Sequence, residues 1–72
     1  MTQDAAESLP KRLRELRGAA KLTLEAVAVA VGVNRSAVAH WEAGRNKPRA
    51  DVMPKLARVL GVTVGELFGE VA

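Results

Sequence analysis

TLEAVAVAVGVNRSAVAHWEAG, residues 23–44, decides how this chain folds. Thr23 suits a helix N-cap, and Glu25 falls in a first turn, where the positive end of the helix dipole favours an acid. Leu24, Val27, Ala28 and Val31 then recur at i, i+3, i+4 and i+7, which is one apolar stripe. Gly32 supplies the left-handed residue that ends this helix, and only Val33 separates it from Asn34, the cap of the next. The second helix runs from Asn34 to Ala43, buries Ala37, Val38 and Trp41, and is closed by Gly44. Two helices joined so tightly through a glycine cross at a steep angle. The outward side of the second carries Arg35, Ser36 and His40.

Upstream, residues 1–7 are polar and acidic without apolar periodicity and read as a disordered tail. Ser8 is the expected cap of a first helix, with Pro10 tolerated in its first turn. Leu9, Leu13, Leu16 and Ala20 form its stripe, and it ends near Ala20. Downstream, RNKPR at 45–49 is a basic loop. Met53, Leu56, Ala57 and Leu60 repeat the helical spacing, so a helix is expected over 52–60. Asp51 as its cap places Pro54 where no hydrogen bond is lost, and Gly61 stops it. Thr63 and Glu66 have capping-box spacing for a short last helix through Phe68. The expectation is an all-α, compact five-helix domain over 8–69, with a C-terminal tail at 70–72.

A chain of 72 residues makes one small domain. With no cysteine, neither disulfides nor thiolate metal sites can staple it. No run reaches about 18 apolar residues and nothing resembles a signal peptide, so no membrane association is expected and the location is cytoplasmic, at the nucleoid. From Lys11 to Arg49 nine Lys or Arg face three acids, whereas the remainder has two basic and five acidic groups. That asymmetry places a polyanion contact in the first two thirds, the bland alternative being a solvated helix surface. His40 is the single histidine, and residues two apart on a helix diverge, so His40 and Glu42 make no catalytic pair. There is no phosphate-binding loop, dinucleotide turn or nucleophile beside a base. The reading is therefore no enzyme, no cofactor and no metal.

LRELR (13–17), LTLEAVAVAVGVNRSAVAHWEAG (22–44), Pro48 and LARVLGVTVGEL (56–67) together resemble the DNA-binding domain of phage Cro and lambda-type repressors, the XRE-like helix-turn-helix family. The resemblance extends from about Leu9 to Phe68. It implies that the helix at Asn34 enters the major groove of double-stranded DNA, with Arg35, Ser36 and His40 at base edges. Physical chemistry agrees, since these residues can share one outward face and Arg pairs bidentately with guanine. Either Ala37 or Ala39 could bring a methyl to a thymine methyl. The resemblance also gives Asn34, Arg45, Lys47 and Arg49 to phosphates, and pairs Arg17 with Glu42 in a salt bridge tying the first helix to the recognition helix. As bare residues, Arg17 and Glu42 could equally be a solvated surface pair.

One domain reads few base pairs, so a homodimer on a palindromic operator is expected, with Val64, Leu67, Phe68 and Val71 as its surface, although Leu67 and Phe68 could equally cap the core, and both could hold at once. The whole then reads as a sequence-specific transcriptional regulator, in the first instance a repressor. Two departures from the family pattern open an alternative. Leu24 stands where many members have a phosphate-binding Gln, and Ala26, Val29 and Ala30 replace the usual polar exterior. A helix apolar on nearly every side is normally buried more deeply. The alternative is a protein-interaction module, an antitoxin or regulatory subunit, holding a partner through Leu24, Val29 and Ala30 or through the C-terminal tail.

Overall fold

The structure, a computed structural model, describes residues 5–68. Five helices follow in order: α1 Ala5–Ala19, α2 Leu24–Val31, α3 Arg35–Ala43, α4 Met53–Leu60 and α5 Val64–Leu67. α3 packs on both α1 and α2, α2 also packs on α4, and α5 closes the domain against α1 and α4. The shared core consists of Leu9 and Leu13 from α1, Val27, Ala28 and Val31 from α2, Val38 and Trp41 from α3, and Val52, Met53, Leu56, Ala57, Leu60 and Leu67 beyond them. Trp41 is thus a core residue.

Three expectations change at helix ends. α1 begins at Ala5, so Ser8 lies inside the helix and does not cap it, and Ala5–Glu7 are not a tail. Ala and Glu are strong helix formers, which extends the helix upstream of Pro10 although Pro10 cannot donate to the carbonyl four residues earlier. Residues 1–4 and 69–72, including Val71, lie outside the described residues. α4 begins at Met53 with Val52 at the cap position, and Asp51 sits in the preceding turn beside Arg49. The amides of both Val52 and Met53 donate to the Arg49 carbonyl, so a helical turn, not a side chain, leads into α4. Pro54 falls in the first turn, where a missing N–H costs little. Third, Leu67 is fully buried within the protomer. It belongs to the core and has no surface to give a second copy, because α5 is so short that its one inward side chain plugs the bundle.

The helix stops share one device. Gly32 (φ 80°) and Gly44 (φ 78°) are left-handed, and after each the next amide reaches back to a carbonyl of the helix just ended. α1 stops in the same way with Lys21 in place of glycine. Lys21 has φ 59°, its amide donates to Gly18, and the Leu22 amide donates to Arg17. A side chain in the left-handed region costs roughly 1–2 kcal/mol. Lys21 is exposed, so little is lost with its side chain. Lys21→Gly should therefore stabilise the domain by about 0.5–1 kcal/mol, raising Tm by roughly 2–8 °C in a thermal melt.

Candidate nucleic-acid interface

At about 100° per residue, the nine residues of α3 divide cleanly into two arcs. Trp41, Val38 and Glu42 are buried on one side, with Ala37 packed against the core beside them. Arg35, Ala39, Ala43, Ser36 and His40 occupy the other. Arg35 and Ser36 are exposed and His40 half-buried, so the structure brings the three expected base-reading residues onto one open arc. Ala39 lies within that arc and Ala37 does not, which leaves Ala39 as the methyl that a base could meet.

Asn34 takes the cap position with extended backbone (φ −75°, ψ 151°), yet its side chain makes no capping bond. The Ala37 amide donates to the Asn34 carbonyl at 3.0 Å, so the Asn34 side chain and the amides ahead of Ala37 are what the start of α3 offers to an acceptor from outside, at the positive end of the helix. α2 contrasts with this: Thr23 Oγ1 accepts from the Ala26 amide at 3.0 Å, so its first turn is internally capped. Arg45, Lys47 and Arg49 are all exposed, flanking a buried Pro48 that anchors their loop. Arg49 lies 3.6 Å from Asp51, both almost fully solvated, a contact of little strength.

The opposite arc of α3 holds the most elaborate polar contact in the domain. Arg17 Nε and Nη2 donate to the two oxygens of Glu42 at 2.6 and 3.0 Å, a bidentate fork. Arg17 Nη1 donates to the Leu22 carbonyl at 3.0 Å, and Arg14 Nη1 to the Glu42 carbonyl at 3.1 Å. Glu42 is only 7% exposed. Hydrogen bonding to Glu42 raises the Arg17 pKa, against burial, which works to lower it, and the direct attraction of Glu42 adds to the rise. Among the described residues, no buried side-chain nitrogen or oxygen lacks a partner.

Several roles were not visible in the sequence. Arg12 Nε and Nη2 both donate to the Glu66 carbonyl, at 3.0 and 2.8 Å, tying α1 to α5. Arg12, Arg14 and Arg17, counted above towards a polyanion-binding surface, are thus engaged within the fold. Carbonyl acceptors leave no trace in a sequence, so charge counting could not separate them. Asn46 Nδ2 lies 3.5 Å from Nδ1 of His40, a long contact from the basic loop to the open arc of α3. The loop had been read only for its charges. Among the described residues there is no group of three or more His, Cys, Asp or Glu that could hold a metal, and no helix long and apolar enough to cross a membrane.

Breaking the fork exposes its energetic weight. Removing one partner of a buried ion pair typically costs about 3–5 kcal/mol, and Arg17 keeps some solvent contact. Arg17→Ala should lower unfolding free energy by about 2–4 kcal/mol in denaturant titration. Arg17→Lys should recover only part of that, since an ammonium cannot reproduce the two parallel bonds.

With this geometry in view, comparison with known proteins is specific. A helix-turn-helix domain family profile matches residues 9–68. The chain is 41% identical over 59 residues to the HTH-type transcriptional regulator YobD of Bacillus subtilis, and 32% identical over 59 residues to the phage CTXphi transcriptional repressor RstR of Vibrio cholerae. Each match covers 82% of this chain and 53% of the relative, so the chain spans about half the length of these two relatives. The transcriptional activator BcrR of Enterococcus faecalis is 32% identical over 58 residues, 81% of this chain and 28% of that protein. Among solved structures, the clp gene regulator ClgR of Corynebacterium glutamicum superposes with a TM-score of 0.82 at 25% identity, over 90% of this chain and 69% of ClgR. HppE, solved with iron(II) and substrate, matches with a TM-score of 0.75 at 28% identity, but this chain covers only 34% of it.

Proposed function

Since the chain belongs to the helix-turn-helix DNA-binding family of the Cro and lambda-repressor type, a family of transcriptional regulators, we propose that it is a sequence-specific repressor that reads the major groove with α3 as a homodimer on a palindromic operator. The observation that carries this is the division of α3 into a core-locked arc and an open arc bearing Arg35, Ser36 and His40. Arg35 offers a planar fork to the acceptor pair of guanine. Ser36 and His40 can each donate or accept, with Ala39 set for a thymine methyl. The open start of α3 with Asn34 takes one phosphate, and Arg45, Lys47 and Arg49 take others, fixing register without reading sequence.

Two half-sites one helical turn apart give the specificity that a single small domain lacks. Of the residues expected at the dimer surface, Val64 (38% exposed) and half-buried Phe68 remain open, and Leu67 supports them from beneath. Repression is the simpler outcome for such a dimer, because occupying the groove blocks access without any further contact. Its place of action is the cytoplasm, at the nucleoid, and it carries no catalytic role.

Selection of bound sequences from random DNA tests this directly. A palindrome is expected, and the absence of any enriched sequence would sink base reading. On the selected site, Arg35→Ala should weaken binding by about 1–3 kcal/mol and relax one base position. Equal losses on the site and on random DNA would remove Arg35 from that role. Lys47→Ala should instead weaken both alike and reduce the slope of log affinity against log salt by about 1.

A further inference from the structure

A second surface, between α2 and α4, contains none of the residues assigned above to DNA. The C-terminal half of α2 and the exposed side of α4 border an open, shallow groove lined by Val29, Ala30 and Val59 with Lys55 and Arg58. Val29 is 71% exposed, the most exposed large apolar side chain among the described residues. Leu24 and Ala26 are half-buried, and Leu24 packs on the core, so the apolar exterior of α2 contracts to Val29 and Ala30 at this groove. Lys55 and Arg58 stand one turn apart on α4, both exposed, and neither forms an ion pair among the described residues.

We infer that this groove docks an amphipathic helix of a partner protein, an apolar side chain seating against Val29 and Val59 while flanking carboxylates pair with Lys55 and Arg58. Charge and shape select this occupant over two others. DNA phosphates would satisfy the cations but leave Val29 and Ala30 against a charged backbone with nothing apolar to meet them. A second copy joined symmetrically through the same face would set this patch, which holds Lys55 and Arg58 and no acid, against itself, so the cations would meet no opposite charge. An acidic, apolar helix matches both halves of the groove at once.

The test uses the intact chain, isotopically labelled, titrated with a synthetic helical peptide of roughly 15 residues whose two leucines, one turn apart, are flanked by glutamates. Amide shifts should concentrate at residues 29–32 and 55–59. The double variant Lys55→Glu with Arg58→Glu should lower peptide affinity at least about tenfold. A peptide with lysine in place of glutamate should give no shifts. Absence of shifts, or shifts indifferent to either charge reversal, would overturn the inference. A loss of DNA affinity in the double variant with no change in peptide binding would also overturn it, assigning the cations to phosphate. So would Val29→Glu converting a dimer to a monomer in sedimentation, which would give the groove to a second copy. The peptide titration does not involve DNA, so failure of base reading leaves its outcome separate.

Discussion

The fork between Arg17 and Glu42 is the constraint on which the orientation of α3 depends. Apolar contacts through Val38 and Trp41 pack α3 into the core but carry no directional bond, which leaves small shifts in its orientation open. The bidentate pair removes that freedom at the C-terminal end of α3. Arg17 simultaneously donates to the carbonyl of Leu22, so one guanidinium fixes α1, the α1–α2 turn and α3 relative to one another. Arg14 adds a bond to the Glu42 carbonyl. Under the proposed base reading, a residue at a base edge must be held to within a fraction of an ångström, and a buried directional contact on the far side of the helix would serve that.

The desolvation of Glu42 would be costly without these partners. Its carboxylate meets the two parallel donors of Arg17, and no buried side-chain polar atom among the described residues is left unsatisfied. The pair is therefore better read as a device for specifying geometry than as a source of net stability, since a hydrophobic substitute could match it energetically but not directionally. α3 is then pinned at its end while its start stays open, with Asn34 uncommitted.

Helix interiors and glycine stops could be read directly from the residues, because apolar spacing and a left-handed glycine act locally. The stripes of α2, α3 and α4 fall where the spacing puts them, and Gly32, Gly44 and Gly61 end those helices. What escaped was decided by non-local or backbone partners. The α1 stop at Lys21 has no glycine to announce it, and the turn leading into α4 relies on the Arg49 carbonyl instead of Asp51. Leu67 stood open between core and dimer surface because α5 is only four residues long, too short for periodicity to show its inward side. That Arg35, Ser36 and His40 share the open arc of α3 was legible because helical spacing alone puts three such residues on one side. The groove between α2 and α4 was not, since Lys55 and Arg58 reach Val29 only through the packing of two helices distant in sequence.

Separating structural from free charge strengthens the case for where a polyanion would sit. With Arg12, Arg14 and Arg17 engaged inside the fold, the basic excess counted over the first two thirds falls, and so does its weight as a general argument. Its distribution sharpens instead. Between Arg35 and Arg49 every basic side chain (Arg35, Arg45, Lys47 and Arg49) is exposed, whereas the one acid there, Glu42, is buried and neutralised by Arg17. An exposed stretch with four cations and no solvated acid generates a local positive field, reinforced by the uncapped start of α3. The same ion pair thus also neutralises the one acid of α3, leaving exposed Asp51, 3.6 Å from Arg49, as the acid beside this stretch.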